Sequence, residues 1–287
     1  MPEAMVESMT LKLTTLCDNL SGHLNFSAAW GLSVLVECGK EVVLWDAGPS
    51  GVAAANALQN GISPARITCA AVSHGHVDHT GGLVDFLRLI GKEIDVYLHP
   101  DAWGLKYIQR QETGGRMSFI GIPHRKEALE GLGAVFLEKR KPIWISDEIL
   151  ITGEVPMASD FETIDGNMFV KNGDAYTHDA LADDQALAVK TEKGLVVVLG
   201  CAHRGVVNTL SYLQEITGVE KIHAVIGGTH LMRAGSRRIE QTMAALDKFG
   251  IEQIGVSHCT GMPAAMAFAA HFGERFFFNF AGKVLEY

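Results

Sequence analysis

Ser73-His74-Gly75-His76-Val77-Asp78-His79-Thr80-Gly81-Gly82 places three imidazoles and a carboxylate within six residues. Imidazole nitrogen and carboxylate oxygen together suit zinc, iron or manganese, and no thiolate is required. The run Ile67–Ser73 ahead of it carries apolar Ile67, Cys69, Ala70, Ala71 and Val72 and reads as a strand. Gly82–Ile90 behind it reads as a helix. The cluster therefore falls in a strand-to-helix loop, where α/β proteins gather ligands. Gly75 is read as letting the backbone turn tightly between two histidines, and Gly81-Gly82 as easing the exit into the helix. A solvated loop of unrelated histidines would have the same composition, but such a density of borderline ligands is rare without a metal.

Upstream, Leu11–Leu16, Leu32–Glu37 and Glu41–Trp45 read as strands, the last two joined through Cys38-Gly39-Lys40 as a hairpin. Asp46-Ala47-Gly48 ends that hairpin, and Val52–Gln59 reads as a helix. Downstream, Ile94–Leu98 is a strand. From Trp103 to His124 the pattern loses periodicity around Gly114-Gly115-Arg116 and Gly121-Ile122-Pro123, which predicts a lid or substrate loop over 103–124. Strand-like runs return at Ala134–Leu137, Ile143–Ile145 and Ile149–Thr152, and Phe161–Asp184 reads as a second irregular stretch. Ala186–Lys190 and Leu195–Leu199 flank Thr191-Glu192-Lys193-Gly194 as a hairpin. Val206, Leu210, Leu213 and Ile216 recur at helical spacing, with Gly218 to end the helix. Ile222–Ile226 and Ile251–Ser257 are strands. Ile239, Met243, Leu246 and Phe249 mark a helix between them. Pro263–His271 is a last helix, and Phe276–Phe280 with Lys283–Glu286 a final hairpin. Strands dominate the first half and β–α alternation the second. A four-layer αββα sandwich fits this order, with one domain over residues 1–287.

Composition narrows the function. A chain of 287 residues, 47% hydrophobic and 20% charged, is ordinary for a globular protein. A net charge of −9 argues against nucleic acid as a partner, since a phosphate-backbone binder needs a basic face. A small anionic substrate stays open, because a local arginine cluster overrides the global sign. The five cysteines are odd in number and scattered, so reduced thiols in a cytoplasmic setting are expected. The start, MPEAMVESMTLKL, lacks a basic n-region and an apolar h-region and is read as no signal peptide. No apolar run approaches a membrane span. Monomer and homo-oligomer both stay open. No GxSxG elbow, P-loop or strand-borne GxGxxG is present.

His74-Gly-His76-Val-Asp78-His79 resembles the HxHxDH signature of the metallo-β-lactamase superfamily, and Asp46 in Trp45-Asp46-Ala47-Gly48 resembles its first motif. The resemblance runs from about Leu11 to Tyr287. Gly200-Cys201-Ala202-His203-Arg204-Gly205, Gly227-Gly228-Thr229-His230-Leu231 and Ser257-His258-Cys259-Thr260-Gly261 are similar to one branch. It is that of the dihydropterin–ribofuranosylaminobenzene phosphate synthase-like metal-dependent hydrolases.

The resemblance implies His74, His76 and His203 on one metal and Asp78, His79 and His258 on a second, with Asp46 steadying the histidine loop. Independently, His203 and His258 each come just past a strand, at the same edge as His74. His230 also follows a strand and two glycines; it rivals His258 and is preferred as a group that supports the ligands from behind or contacts substrate. Many relatives carry Gly-Asp where this chain has Gly200-Cys201. Cys201 is then a bridging thiolate or a plain buried residue, with water alone, Asp183 or Asp184 as other bridges. Arg204, Arg233, Arg237 and Arg238 cluster near these motifs and suit a phosphate or carboxylate clamp. Arg204 is the favoured substrate contact, while a solvated helix face accounts for Arg237 and Arg238. The reading is a metal-dependent hydrolase with one or two zinc ions (iron or manganese also fitting). It would use a metal-activated water and Asp78 on a small ester, thioester, lactone or phosphoester. The alternatives are a synthase-type enzyme of pterin metabolism and a non-catalytic metal-binding protein.

Overall fold

The computed structural model describes residues 10–287; the leader reading falls largely on residues 1–9 and lies outside them. The strands of the first half are β1 (Leu11–Cys17), β2 (Ser33–Cys38), β3 (Glu41–Trp45), β4 (Cys69–Ala71), β5 (Ile94–Leu98), β6 (Lys106–Arg110), β7 (Arg116–Phe119), β8 (Ala134–Glu138) and β9 (Ile143–Trp144). Those of the second are β10 (Ile149–Ile151), β11 (Met168–Asn172), β12 (Ala175–His178), β13 (Ala186–Thr191), β14 (Gly194–Leu199), β15 (Ile222–Gly227), β16 (Gln253–Val256), β17 (Phe276–Phe278) and β18 (Val284–Glu286). The helices are α1 (Val52–Gln59), α2 (Val77–Thr80), α3 (Leu83–Ile90), α4 (Lys126–Glu130), α5 (Val206–Thr217), α6 (Ser236–Lys248) and α7 (Met262–Phe272).

Two seven-stranded sheets, ordered β18-β1-β2-β3-β4-β5-β8 and β17-β16-β15-β14-β13-β10-β9, pack face to face. Period-2 alternation explains the layering, because both faces of the central strands are apolar. In β14, Leu195, Val197 and Leu199 join the core under α5, α6 and α7, while Val196 and Val198 join the core between the sheets. In β3, Val42 and Leu44 face α1 and α3, while Val43 and Trp45 face the opposite sheet. Each fully buried Val or Leu contributes roughly 1.5–3 kcal/mol. The result is the expected four-layer αββα sandwich. Among the described residues no helix is long and apolar enough to cross a membrane, and all five cysteines are buried and free.

Three expectations change. Residues 103–124 are not a loop: β6 and β7 pair there, and β11 and β12 fold out of the stretch 161–184 to complete a four-stranded sheet, β12-β11-β6-β7. Its strands are half-buried on both faces, so no clean hydrophobic alternation marks them. The final hairpin does not form either. β17 runs parallel to β16 in one sheet, while β18 pairs with β1 in the other, so the chain crosses between the sheets at Asn279–Lys283. Both segments have β character, and only the partner strands, far away in sequence, choose the sheet.

The second sheet is parallel from β14 to β17, and the first from β3 through β4 and β5 to β8. The loops that leave the carboxyl ends of β3, β4, β14, β15 and β16 therefore meet at one edge of the sandwich. Trp45 Nε1 donates to the Leu199 carbonyl at 3.3 Å and Gln185 Nε2 to the Val72 carbonyl at 2.8 Å, tying the two sheets together there.

Candidate metal centre

Those loops carry Asp46, the segment from Ser73 to His79, Cys201, His203, His230 and His258. Donor atoms of His74, His76 and His203 converge in one group, and those of Asp78, His79 and His258 in another, each within 4.8 Å of one another. His74 Nε2 lies 2.9 Å from His76 Nδ1 and 3.2 Å from His203 Nε2. His258 Nε2 lies 3.2 Å from Asp78 Oδ2.

The outer nitrogens are held from behind. His74 Nδ1 meets Ser73 Oγ at 2.9 Å, His79 Nδ1 meets Asp46 Oδ2 at 2.6 Å, and His258 Nδ1 meets Asn19 Oδ1 at 2.9 Å. Asp46 also accepts from Ser73 N and Oγ, each at 2.7 Å. Partners of this kind choose the tautomer and aim the remaining nitrogen inward. Gly200 makes room for this cluster: a Cβ there would collide with Ser73 Oγ. Gly75 serves the same end rather than a tight turn, since its φ is not left-handed but a Cβ would strike the Ala102 carbonyl.

Burial and then the neighbouring imidazoles hold His74 and His203 well below the usual histidine range, and burial pulls His76 down to about 3. These rings are neutral, with lone pairs available. Burial works against a charged His79, but the Asp46 carboxylate outweighs it and pushes the imidazole up to about 9. Burial likewise opposes an ionised Asp78. The close His258 ring, 3.2 Å away, and the His79 charge win, and hold it below the carboxylate range. His258 Nε2 is buried with no aligned hydrogen-bond partner among the described residues. Five imidazoles and a carboxylate converge with their inward donor atoms within 4.8 Å in each triad, a borderline donor set at the spacing of shared ligands, so the residues present fit one or two metal ions.

Among the described residues, four of the five non-glycine positions with positive φ are here: Asp46 (57°), Ala202 (53°), His230 (49°) and His258 (49°), Leu181 being the fifth. Such backbone costs of order 1–3 kcal/mol per residue and gathers where geometry outranks stability.

The structure brings His258, not His230, to Asp78 and His79. His230 Nε2 instead faces Asp165 Oδ2 at 3.2 Å, and its ring lies against His203 with centroids 4.0 Å apart. Cys201 Sγ sits 3.1 Å from His79 Nε2 and groups with His74 and His79, one from each triad, so it stands between the two. Asp183 and Asp184 do not replace it. Asp183 takes Gly75 N and Lys106 Nζ, each at 2.8 Å, and Asp184 takes Arg204 N at 2.9 Å.

Arg204 corrects the sequence reading. It is 9% exposed, donates to the Ala180 carbonyl at 3.0 Å, and does not line the cavity over the triads. Its guanidinium turns into the scaffold, toward the Ala180 carbonyl and Glu154 at 3.8 Å. That cavity has a volume of about 210 Å³; Trp30, Ile108, Ile120, Met168 and Met232 wall it, and exposed Arg110 and Arg233 stand at its rim.

Several positions escaped the sequence reading. Asn19 and Asp18, which accepts His258 N at 2.8 Å, follow β1 as a polar pair after an apolar run, a signal of a functional turn. Lys106, bonded to Asp179 at 2.7 Å and to Asp183, carried no local signal at all.

Comparison with known proteins agrees with this geometry. A family model described as the metallo-beta-lactamase superfamily matches residues 31–160. A Methanocaldococcus jannaschii protein is 34% identical over 96% of this chain and 97% of its own length. The chain belongs to the metallo-β-lactamase superfamily. That relative is named 7,8-dihydropterin-6-methyl-4-(beta-D-ribofuranosyl)-aminobenzene-5'-phosphate synthase. A crystal structure described as a metal-dependent hydrolase of the β-lactamase superfamily superposes with a TM-score of 0.81 at 30% identity, covering 96% of this chain and 98% of that one. The metallo-β-lactamase fold protein YhfI of Bacillus subtilis, at 15% identity and a TM-score of 0.58 over 98% of this chain and all of its own, shares the fold.

The superfamily centre here has a testable proton balance. A metal takes only neutral imidazole, so filling the Asp78–His79–His258 site must displace the proton that Asp46 keeps on His79. Buffer-dependent calorimetry near pH 7.5 should show about one proton released with the second ion and almost none with the first. Affinity of the second site should rise roughly tenfold per pH unit until about pH 9, then level off. Two ions bound with no proton released would overturn the assignment of charge to His79.

Proposed function

We propose that the protein is a metal-dependent hydrolase of a small ester, thioester, lactone or phosphoester. His74, His76 and His203 would hold one ion and Asp78, His79 and His258 another, zinc suiting this donor set and iron or manganese fitting it too. The observation that carries the reading is the convergence of five buried imidazoles and one carboxylate, of which His76, Asp78, His203 and His258 line an open cavity. The similar structure described as a metal-dependent hydrolase supports it.

Ions held there supply Lewis acidity for the substrate oxygen and make water acidic enough to attack near neutral pH. The chain does the rest. Asp78, kept ionised, accepts a hydrogen bond from the attacking water and orients it; Asp46 fixes the His79 ring; the apolar walls exclude bulk solvent. Cys201 stands where many relatives carry a bridging carboxylate. His230, with Asp165 behind it, presents a polar edge to substrate.

A synthase reading has its own support, the relative at 34% identity. The two differ in the fate of water. For the hydrolase, turnover of a responsive ester in ¹⁸O-water by the zinc-loaded protein should place one labelled oxygen in the acid product, and chelation should abolish it. Joining of two organic substrates with no oxygen taken from water would displace this reading in favour of the synthase.

A further inference from the structure

A second lobe of about 250 Å³ opens beside the metal cavity and shares Asp165, His203, His230 and Arg233 with it. Its remaining polar lining comes from the start of α6 and from Thr163. The chain as a whole carries −9, yet this lobe collects hydrogen-bond donors that the fold leaves unmatched.

His203 is 3% exposed, and its Nδ1 has no partner among the described residues. With Nε2 turned to the triad, the ring proton belongs on Nδ1, a buried donor without an acceptor. Arg238 Nε is also buried and unpartnered, while its Nη1 reaches only Thr163, at 3.2 and 3.3 Å. The nearest carboxylate to half-exposed Arg233 is Glu112, at 3.9 Å. Asp165, the one acid lining the lobe, faces His230 at 3.2 Å. That contact, with the charges of His230, Arg233 and Arg238, holds it below the carboxylate range, so one carboxylate stands against several cationic or donor groups.

The start of α6 runs against local rules. Gly235 precedes it with no side-chain cap, and no acid occupies its first turn. Arg237 and Arg238 stand there instead, at the end of a helix where the dipole prefers negative charge. Natural sequences break such rules mainly where function demands it. A ligand rich in acceptor oxygens would give acceptors to the unpartnered His203 Nδ1 and Arg238 Nε and negative charge to the uncapped helix start.

We infer, resting on the hydrolase reading, that the substrate carries a phosphoryl group and that the lobe formed by His203, Arg233, Arg238 and the start of α6 binds it. The reacting bond then lies over the metal centre, and the apolar body of the substrate lies against Trp30 and Met232. A carboxylate has too few acceptors for this set of donors. The helix-face explanation of Arg238 gives way, while Arg237 lines no part of the lobe.

The test uses the full-length, metal-loaded protein, with inorganic phosphate as the probe in calorimetry. The variant Arg233→Ala/Arg238→Ala should bind phosphate at least tenfold more weakly at unchanged metal content and melting temperature. Arg233→Gln, a change at a half-exposed site, provides a second arm should the double variant fold poorly. Phosphate bound as tightly by these variants as by the wild type would mean that it sits on the metals only, and would overturn the lobe. The second measurement compares an ester bearing a terminal phosphate with its neutral counterpart. The variants should lose at least tenfold more kcat/KM on the phosphorylated ester, chiefly through KM; equal losses would also overturn the proposal. Hydrolysis of neither ester, alongside phosphate binding that responds to the arginines, would sink the hydrolase reading and leave the phosphoryl site standing.

Discussion

Asp78→Asn should lower turnover on the order of a hundredfold or more while the fold and one of two metal ions are retained. The carboxylate faces His258 Nε2 at 3.2 Å and belongs to the second triad, and it lines the open cavity. An amide keeps its volume but removes the negative charge that offsets the cation and orients water. His74, His76 and His203 do not touch Asp78 through the contacts that aim them, so their site survives with an open position. Metal analysis should fall from two ions to about one per chain, with the melt changed by only a few degrees. An undiminished rate would show Asp78 to be structural. Loss of both ions together with the melt would show instead that the centre chiefly holds the sandwich together.

Lys106→Met should be strongly destabilising, costing roughly 3–5 kcal/mol. Lys106 is 1% exposed and bridges Asp179 and Asp183, which are themselves buried. Burial opposes the charge on both sides, but the mutual attraction wins, raising the lysine above its usual range and lowering Asp183 below the carboxylate range. Removing the cation strands two buried carboxylates. A melt lower by on the order of 10 °C is expected for a chain of this size. Metal affinity should fall as well, since Asp183 also holds Gly75 N between two ligands. Adding Asp179→Asn and Asp183→Asn to Lys106→Met should recover much of the loss, because no unpaired charge then remains. A Lys106→Met melt within two or three degrees of wild type would show that the ion triad is not what secures this corner.

The candidate metal ligands were legible for a physical reason. A cation needs borderline donors close together, and a strand that delivers them to a loop leaves a local pattern from Ile67 to Gly82. His203 and His258 were legible by position, each just past an apolar strand. The small sheet built from β6, β7, β11 and β12 was not, because half-buried strands with mixed faces lose the period-2 signal on which such reading depends. Arg204 was misjudged because adjacency to a ligand in sequence says nothing of where a long side chain turns.

Local spacing alone determined the histidine cluster from His74 to His79 and most of the strands and helices that flank it, since each depends on residues within a few positions of one another. The αββα choice and the full candidate set came with the family resemblance. Tertiary structure alone decided that His258 rather than His230 faces Asp78, that Asn19 holds His258 from 239 residues away, and that Lys106 braces the histidine loop across 77 residues to Asp183. It also decided which donors stay unmatched beside the metals. Those outcomes depend on which strands become neighbours, a choice made by burial of the whole core and not by any segment of it.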